Sequence, residues 1–180
     1  MRDTLHYFSF TEKSYTPYFW SKAGFLFTHL LFGMTAFLLG PLQFFPQIRK
    51  KNVSIHRTVG KVYLVCIAVS SPMAFYLAIT STVNFVYAAG LAAMATIWAA
   101  TSLMAYITIR KRLTTAHREW MVRSYVVTFA FATFRLFGDV FSYYGIGQDN
   151  NLAITFLSWA SWSIPLFFQK LFSSCRNSAN

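Results

Sequence analysis

The sequence predicts an all-α fold, a polytopic membrane helix bundle with about five transmembrane helices, and three observations support it. Hydrophobic residues make up 56% of the chain and charged residues only 12%, whereas roughly a quarter of a soluble domain is charged. Five apolar runs each approach the roughly 20 residues that a helix needs to cross a bilayer. Basic residues outnumber acidic ones by 16 to 5 and collect between particular runs, as cytoplasmic loops do. No basic patch lies outside those loops, so we predict no nucleic-acid partner.

The apolar runs define the predicted spans in order along the chain. We place them at residues 23–45, 59–80, 84–108, 121–143 and 152–171. Residues 1–22 mix charged and aromatic side chains, which predicts an interfacial lead-in and excludes a cleavable signal peptide. Residues 23–143 form the predicted four-helix core, and residues 144–171 add an outer loop and the fifth span. Residues 172–180 form a polar cytoplasmic tail.

The loop charges orient these spans. The first loop, residues 46–58, and the third, residues 109–120, hold most of the loop charge, while the second loop has none and the fourth has only Asp149. Basic loops stay in the cytoplasm, which predicts an N-terminus outside and a C-terminus inside. The lipid bilayer is therefore the expected partner, with anionic headgroups meeting the basic loops on the cytoplasmic side.

The two basic loops are also near copies of each other. IRKKNVSIHR at 48–57 matches IRKRLTTAHR at 109–118 with an offset of 61 positions. One interpretation is that spans one and two, and spans three and four, are duplicated hairpins inserted in the same direction. The other is that two cytoplasmic loops converged on basic residues for topological reasons. Either way, the repeat puts His56 and His117 at matching depths.

Small and polar residues mark one face on two of the spans. In span one they are His29, Gly33, Ala36, Gly40 and Gln43, and in span four Ser124, Thr128, Ala132, Arg135 and Asp139. Their spacing of three or four residues puts each set on a single helix face, which predicts the face turned toward the bundle interior.

The outer parts of these faces predict a polar cluster. His29 and Arg135 lie at depths of roughly 9 and 12 Å below the outer surface, and Asp139 is one turn from Arg135. Intramembrane charges usually face a bundle interior or a cavity. We therefore predict a buried cluster of His29, Arg135 and Asp139 that, with Gln43 on the same stripe, binds a small anionic or quinone-like ligand. The alternative is a structural clamp that locks span one to span four.

The inner histidines allow two interpretations. His56 and His117 at equal depth on spans two and four can hold a b-type haem by bis-imidazole ligation. Each, however, adjoins an arginine, Arg57 or Arg118, at the interface rather than in an apolar slot. The alternative is that these His-Arg pairs cap the helix starts and bind lipid phosphates. No disulfide or zinc framework is readable, and no other metal is assigned.

Several blocks together resemble a known family: GPLQF at 40–44, Arg49, HRTVGKVY at 56–63, and HREWMVRSYVVTFA at 117–130 with Arg135 beyond. They resemble a bacterial family of multi-span membrane proteins catalogued as a domain of unknown function, over about residues 23–140. This resemblance implies a multi-pass protein of the bacterial inner (cytoplasmic) membrane, without a reaction, a cofactor or an established site. The His-Arg-x-x-Gly element also resembles haem-binding ferric-reductase-like membrane domains, but this chain lacks their further in-span histidines.

Two functional hypotheses follow. The first is a non-enzymatic membrane module whose polar cluster holds its helices together or binds a small ligand. The second is a membrane electron carrier that uses haem b or a quinone. The sequence assigns no catalytic residue and names no reaction, so an enzyme is not predicted.

Overall fold

The computed structural model describes residues 20–145 and 151–178. Most of the predicted lead-in, residues 1–19, lies outside the described residues. Within the described ranges every regular element is helical, and five helices are long and apolar enough to cross a membrane. The predicted fold class, an all-α membrane helix bundle, is confirmed.

Residues 20–145 and 151–178 contain six α-helices and one 3₁₀ helix. In order they are α1 (Ala23–Leu39), the 3₁₀ helix Pro41–Phe44, α2 (Pro46–Lys51), α3 (Val53–Ile79), α4 (Phe85–Arg110), α5 (Thr114–Tyr143) and α6 (Leu152–Ser178). Helices α3 and α5 begin about two turns before the predicted spans because a helix satisfies its backbone hydrogen bonds internally and can continue into the headgroup region. For the same reason α6 continues to Ser178, through most of the predicted polar tail.

The GPLQF block ends the first span and reverses the chain. Gly40 closes α1 by donating its backbone N–H to the Ala36 carbonyl. A proline at each helix start, Pro41 and then Pro46, supplies a backbone already set for the first turn. The Tyr125 ring of α5 lies where a side chain at position 40 would begin, so glycine is required here by close packing. The block therefore brings the inner end of α1 against α5.

The helices pack as two hairpins with one helix outside. Helix α1 packs along α3, and α4 along α5, while α3 joins the two hairpins by packing on α4. Helix α1 packs less closely on α5 than on α3, although Gly40 and His29 both contact α5. Helix α6 packs on α4 and α5.

Residues 61 positions apart meet between α3 and α5. On α3, His56, Tyr63 and Ser70 recur every seven residues, about two turns, and on α5 so do His117, Ser124 and Phe131. His56 lies within electrostatic reach of His117, Tyr63 hydrogen-bonds Ser124 at 2.9 Å, and Ser70 and Phe131 both contact His29. Tyr63 and Ser124 are thus in direct contact, and Ser70 and Phe131 are linked through His29.

Candidate functional site

The stripe predicted on span one does face the bundle interior. Ala36 is fully buried, Gln43 is 5% exposed, and an added side chain at Gly33 would meet the hydroxyl of Ser70 on α3. His29 lies farther out on the same stripe. Its Nδ1 is 2.8 Å from Ser70 Oγ and 3.2 Å from the Ser70 carbonyl. The His29 ring also meets Trp98 and Phe131 edge to face, so it contacts helices α3, α4 and α5.

The predicted buried cluster of His29, Arg135 and Asp139 is wrong. Arg135 and Asp139 are both exposed on α5, while His29 is mostly enclosed by Ser70 and its aromatic neighbours. The spacing of the α5 residues predicted their helix face correctly, since Ser124 and Thr128 on that face are buried. Farther along the same helix, however, Arg135 and Asp139 are not enclosed by the described helices. Periodicity gives the face of a helix but not the length over which a neighbour covers it.

A hydroxyl network occupies the middle of the bundle instead. Thr128 Oγ1 donates to the Ser124 carbonyl at 2.9 Å and lies 2.8 Å from Trp98 Nε1 and 3.0 Å from the Tyr63 hydroxyl. Because its own hydrogen is used, Thr128 accepts from Trp98 and from Tyr63, and Ser124 Oγ then donates to Tyr63. Ser102 Oγ, 2.8 Å from Ser124 Oγ, extends the network on α4.

This network joins α3, α4 and α5, whereas the predicted clamp was to lock span one to span four. All five side chains are buried, with at most 7% exposed. None of them is charged at neutral pH, so the network offers binding energy between helices rather than a reactive group. Sequence reasoning missed Tyr63 and Trp98 because an aromatic residue in a span looks like any other apolar residue. The seven-residue spacing from His56 to Tyr63 to Ser70 was the available signal.

The inner end of the bundle gathers the two repeated loops. We call this the basic end, formed by residues 46–58 and 109–120. His56 on α3 is within electrostatic reach of His117 on α5 and of Arg49 and Arg57. The structure therefore brings the histidines of the two loops together, at the matching depth that the repeat predicted.

Gln43 belongs to the basic end, not to the outer cluster in which it was predicted. Its Oε1 lies 3.1 Å from the position that a β-carbon at Gly60 would occupy, and Gly60 is one turn from His56 on α3. Gln43 Nε2 is buried and has no hydrogen-bond partner among the described residues, and the same is true of His56 Nδ1. Buried polar atoms are normally paired, so each of these two unpaired atoms marks a place for a ligand or water.

The expectation that the His-Arg pairs cap the helix starts is wrong. The residues at the helix starts are Asn52 for α3 and Leu113 for α5, and neither helix has a side-chain cap. Both histidines are the fourth residue of their helix, so they lie one turn inside. There His117 Nδ1 donates to the Ala105 carbonyl of α4 at 2.8 Å. This bond fixes the imidazole and leaves Nε2 as its acceptor nitrogen.

Two arginines close to His117 in the sequence, Arg118 and Arg123, differ in their surroundings. Arg118, predicted with His117 to contact haem or lipid phosphate, is exposed next to it on α5. Arg123 lies 3.7 Å from Glu119 and stacks at 4.5 Å over the Trp120 ring. Its charge is therefore partly compensated on its own helix. The described residues contain no group of three or more side chains suited to hold a metal ion.

Comparison with known proteins supplies one match. The model of one protein family, described as a predicted membrane protein (DUF2306), matches residues 26–173. No curated protein and no solved structure matches the chain significantly. The match extends beyond the blocks that carried the resemblance and includes α6.

Proposed function

The chain belongs to the DUF2306 family of predicted membrane proteins, and we propose that its basic end binds the phosphate of an anionic lipid headgroup. One observation supports this above the others. Gln43 Nε2 and His56 Nδ1 are buried without partners among the described residues, and Arg49, Arg57 and His117 lie within electrostatic reach of His56. Positive charge and unused hydrogen-bonding atoms at one place are what a phosphate requires.

These side chains can donate hydrogen bonds to the oxygen atoms of a phosphate group. The Gln43 amide is a neutral donor with two hydrogens, and the His56 ring donates from Nδ1 when that atom is protonated. Arg49 and Arg57 add charge-assisted donors near the ring. An oxyanion has enough lone pairs to accept from all of these at once. A bound phosphate therefore satisfies both orphan atoms and offsets the mutual repulsion of the cations.

The surroundings favour a lipid over a dissolved anion. His56 and His117 lie one turn inside their helices, about 5 to 6 Å from the start, which is the depth of a headgroup boundary. Large apolar side chains beside them, Val53, Ile55 and Leu113, are 43%, 52% and 53% exposed. These surfaces suit acyl chains, while the cations suit the headgroup.

Thermal unfolding in a neutral detergent tests the proposal. The midpoint is followed while phosphatidylglycerol, phosphatidylcholine or inorganic phosphate is added. Phosphatidylglycerol is expected to stabilise the protein most. Arg57→Gln should weaken its apparent affinity about fivefold, as expected for loss of one cation near a headgroup.

Lys50→Gln is the matched control, since it removes an equal charge from the same loop but Lys50 is exposed and is not among the groups acting on His56. Equal losses for the two variants would mean that only general surface charge attracts the lipid. Equal stabilisation by inorganic phosphate would mean that the ligand is a soluble anion.

A b-type haem between His56 and His117 is the second candidate. One observation favours it: His117 donates Nδ1–H to a backbone carbonyl, the bond that usually orients a metal-ligating histidine. His56 lacks such a bond, and arginines rather than an apolar slot lie near it, so the residues fit a phosphate better than a porphyrin. A Soret band of near-stoichiometric intensity in the purified protein, lost in His117→Ala, would replace the headgroup proposal.

A further inference from the structure

We propose that a groove between α5 and α6 binds a lipid-soluble carbonyl compound of the quinone class, which accepts a hydrogen bond from the Ser161 hydroxyl. The groove has a volume of about 260 Å³, and its walls are almost entirely apolar. Its lining includes three phenyl rings, from Phe137, Phe141 and Phe156, together with Ser161. This site is independent of the basic end and of the ligand proposed there.

Ser161 Oγ is the feature that calls for a ligand. Ser161 is 4% exposed, lines the groove, and its Oγ has no hydrogen-bond partner among the described residues. Other serines of α6 donate to a carbonyl in the preceding turn, Ser158 to Thr155 at 2.7 Å and Ser163 to Trp159 at 2.7 Å. Ser161 does not, although that arrangement is normal for a serine in a membrane helix. The hydroxyl, although enclosed, is therefore unpaired in the wall of the groove.

The backbone at this point is already satisfied, so the hydroxyl is not needed there. Pro165 has no N–H to give to the carbonyl four residues earlier, which belongs to Ser161. Thr133 Oγ1 on α5 shares its one hydrogen between the Ala130 carbonyl at 2.9 Å and that carbonyl at 3.2 Å. Thr133 and Pro165 also line the groove and a neighbouring one of about 210 Å³. Thr133 therefore links α5 and α6 beside the groove.

Depth in the membrane identifies the class of ligand. Ser161 lies nine residues after Leu152, roughly 13 to 14 Å along α6, near the middle of about 30 Å of hydrocarbon. The ester and phosphate oxygens of a phospholipid stay at the interface, and only methylene groups reach this level. Methylene groups accept no hydrogen bond. A quinone head dissolves in hydrocarbon, has carbonyl acceptors and is flat enough to pack against phenyl rings.

The groove is open to such a molecule from the side. Phe137, Phe156 and Ile164 on its lining are 47%, 60% and 49% exposed, on the surface that faces lipid. A ligand can therefore enter from the bilayer without crossing an aqueous phase.

The test measures binding of decyl-benzoquinone to the full chain in nanodiscs of phosphatidylcholine, through quenching of tryptophan fluorescence. Trp162, next to Ser161 and 8% exposed, and Trp159 are close reporters. Saturable binding is expected, and Ser161→Ala should weaken it roughly fivefold to tenfold, the effect of one lost hydrogen bond. Ser163→Ala is the matched control on the same helix and should leave the affinity unchanged. Decylbenzene, which has no carbonyl and does not quench tryptophan, is followed by its competition with the quinone and should bind the parent protein and Ser161→Ala equally.

A second variant tests the groove itself. Ala160 lines it, and Ala160→Phe should fill it and abolish saturable quenching, with a circular dichroism spectrum showing that the helices are retained. The proposal is overturned if the parent protein shows no saturable quenching by the quinone. It is overturned equally if Ser161→Ala binds the quinone as tightly as the parent, which would leave water as the partner of the hydroxyl, or if Ala160→Phe still binds it.

Discussion

The Tyr63 hydroxyl lies where three helices of the core meet. It contacts Ser124 at 2.9 Å and Thr128 at 3.0 Å on α5, and Thr128 in turn accepts from Trp98 on α4. Tyr63 is fully buried, so no solvent can replace a lost partner. In lipid there is no hydrophobic drive between helices, and buried hydrogen bonds and close packing hold them together. Each buried hydroxyl group is therefore expected to contribute noticeably to the stability of the helix bundle.

Tyr63→Phe should therefore destabilise the protein by roughly 1 to 2 kcal/mol, because the hydroxyls of Ser124 and Thr128 each lose a partner. The free energy of unfolding in mixed micelles measures this. Tyr76→Phe is a control on the same helix, since Tyr76 is 36% exposed and should change stability little. When Tyr63→Phe is combined with Ser124→Ala, the loss of unfolding free energy should be smaller than the sum of the losses in the two single variants. Strictly additive losses would show that the two hydroxyls do not interact.

Glycine positions decide how closely neighbouring helices approach. A β-carbon at Gly90 of α4 would collide with the hydroxyl of Ser158 and would lie 2.8 Å from Trp159 Nε1 on α6. That indole nitrogen donates to the Val86 carbonyl at 3.0 Å, and Asn84 Nδ2 donates to Thr155 Oγ1 at 2.8 Å. The start of α4 and the start of α6 are thus joined by contacts that need a bare backbone at position 90.

Gly90→Ala should cost roughly 1 to 3 kcal/mol of stability, since the added methyl group forces α6 away from α4. Gly138→Ala is the matched control in α5, because nothing lies within 4 Å of a β-carbon placed there. That control should be neutral, or more stable by about 0.5 to 1 kcal/mol through helix propensity. Unfolding of both variants in the same micelles gives the comparison. If they were equally stable, α6 would not dock closely at Gly90.

The elements show what sequence patterns can and cannot predict here. The number of spans and the inward stripe of α1 follow from hydropathy and periodicity. The exposure of Arg135 and Asp139 does not, because it depends on how the neighbouring helices pack around α5. The placement of Gln43 against Gly60 depends on the 3₁₀ turn after Gly40. The exposure or burial of these residues depends on how the helices pack against one another, and local sequence patterns do not predict that packing.

At the scale of the whole molecule, the basic end concentrates positive charge on one side. Both repeated loops lie there, and α6 points its Lys170 toward the same side because consecutive spans alternate in direction. The opposite end has the uncharged turn between α3 and α4. An asymmetry of this kind sets membrane orientation during insertion.

We therefore predict that the basic end faces the cytoplasm, with the N-terminus outside. A reporter that is active only in the cytoplasm, fused after Asn180, should be active, and a reporter that works only outside should be inactive there. A control fusion in the turn at residues 81–83 should give the reverse pattern. Activity of the outside reporter after Asn180 would invert the topology and place the basic end away from the cytoplasmic lipids.

The central claim is that the two repeated loops form one anion site, and a double-mutant cycle on lipid affinity tests it most directly. Phosphatidylglycerol affinity is measured for the parent protein, His56→Ala, His117→Ala and the double variant. If the two loops form one site, His117→Ala should weaken phosphatidylglycerol binding by a smaller factor in the His56→Ala variant than in the parent protein, because residues in one network are not independent. If the double variant instead lost affinity by the product of the two single factors, the account would be contradicted, since each loop would then attract lipid separately.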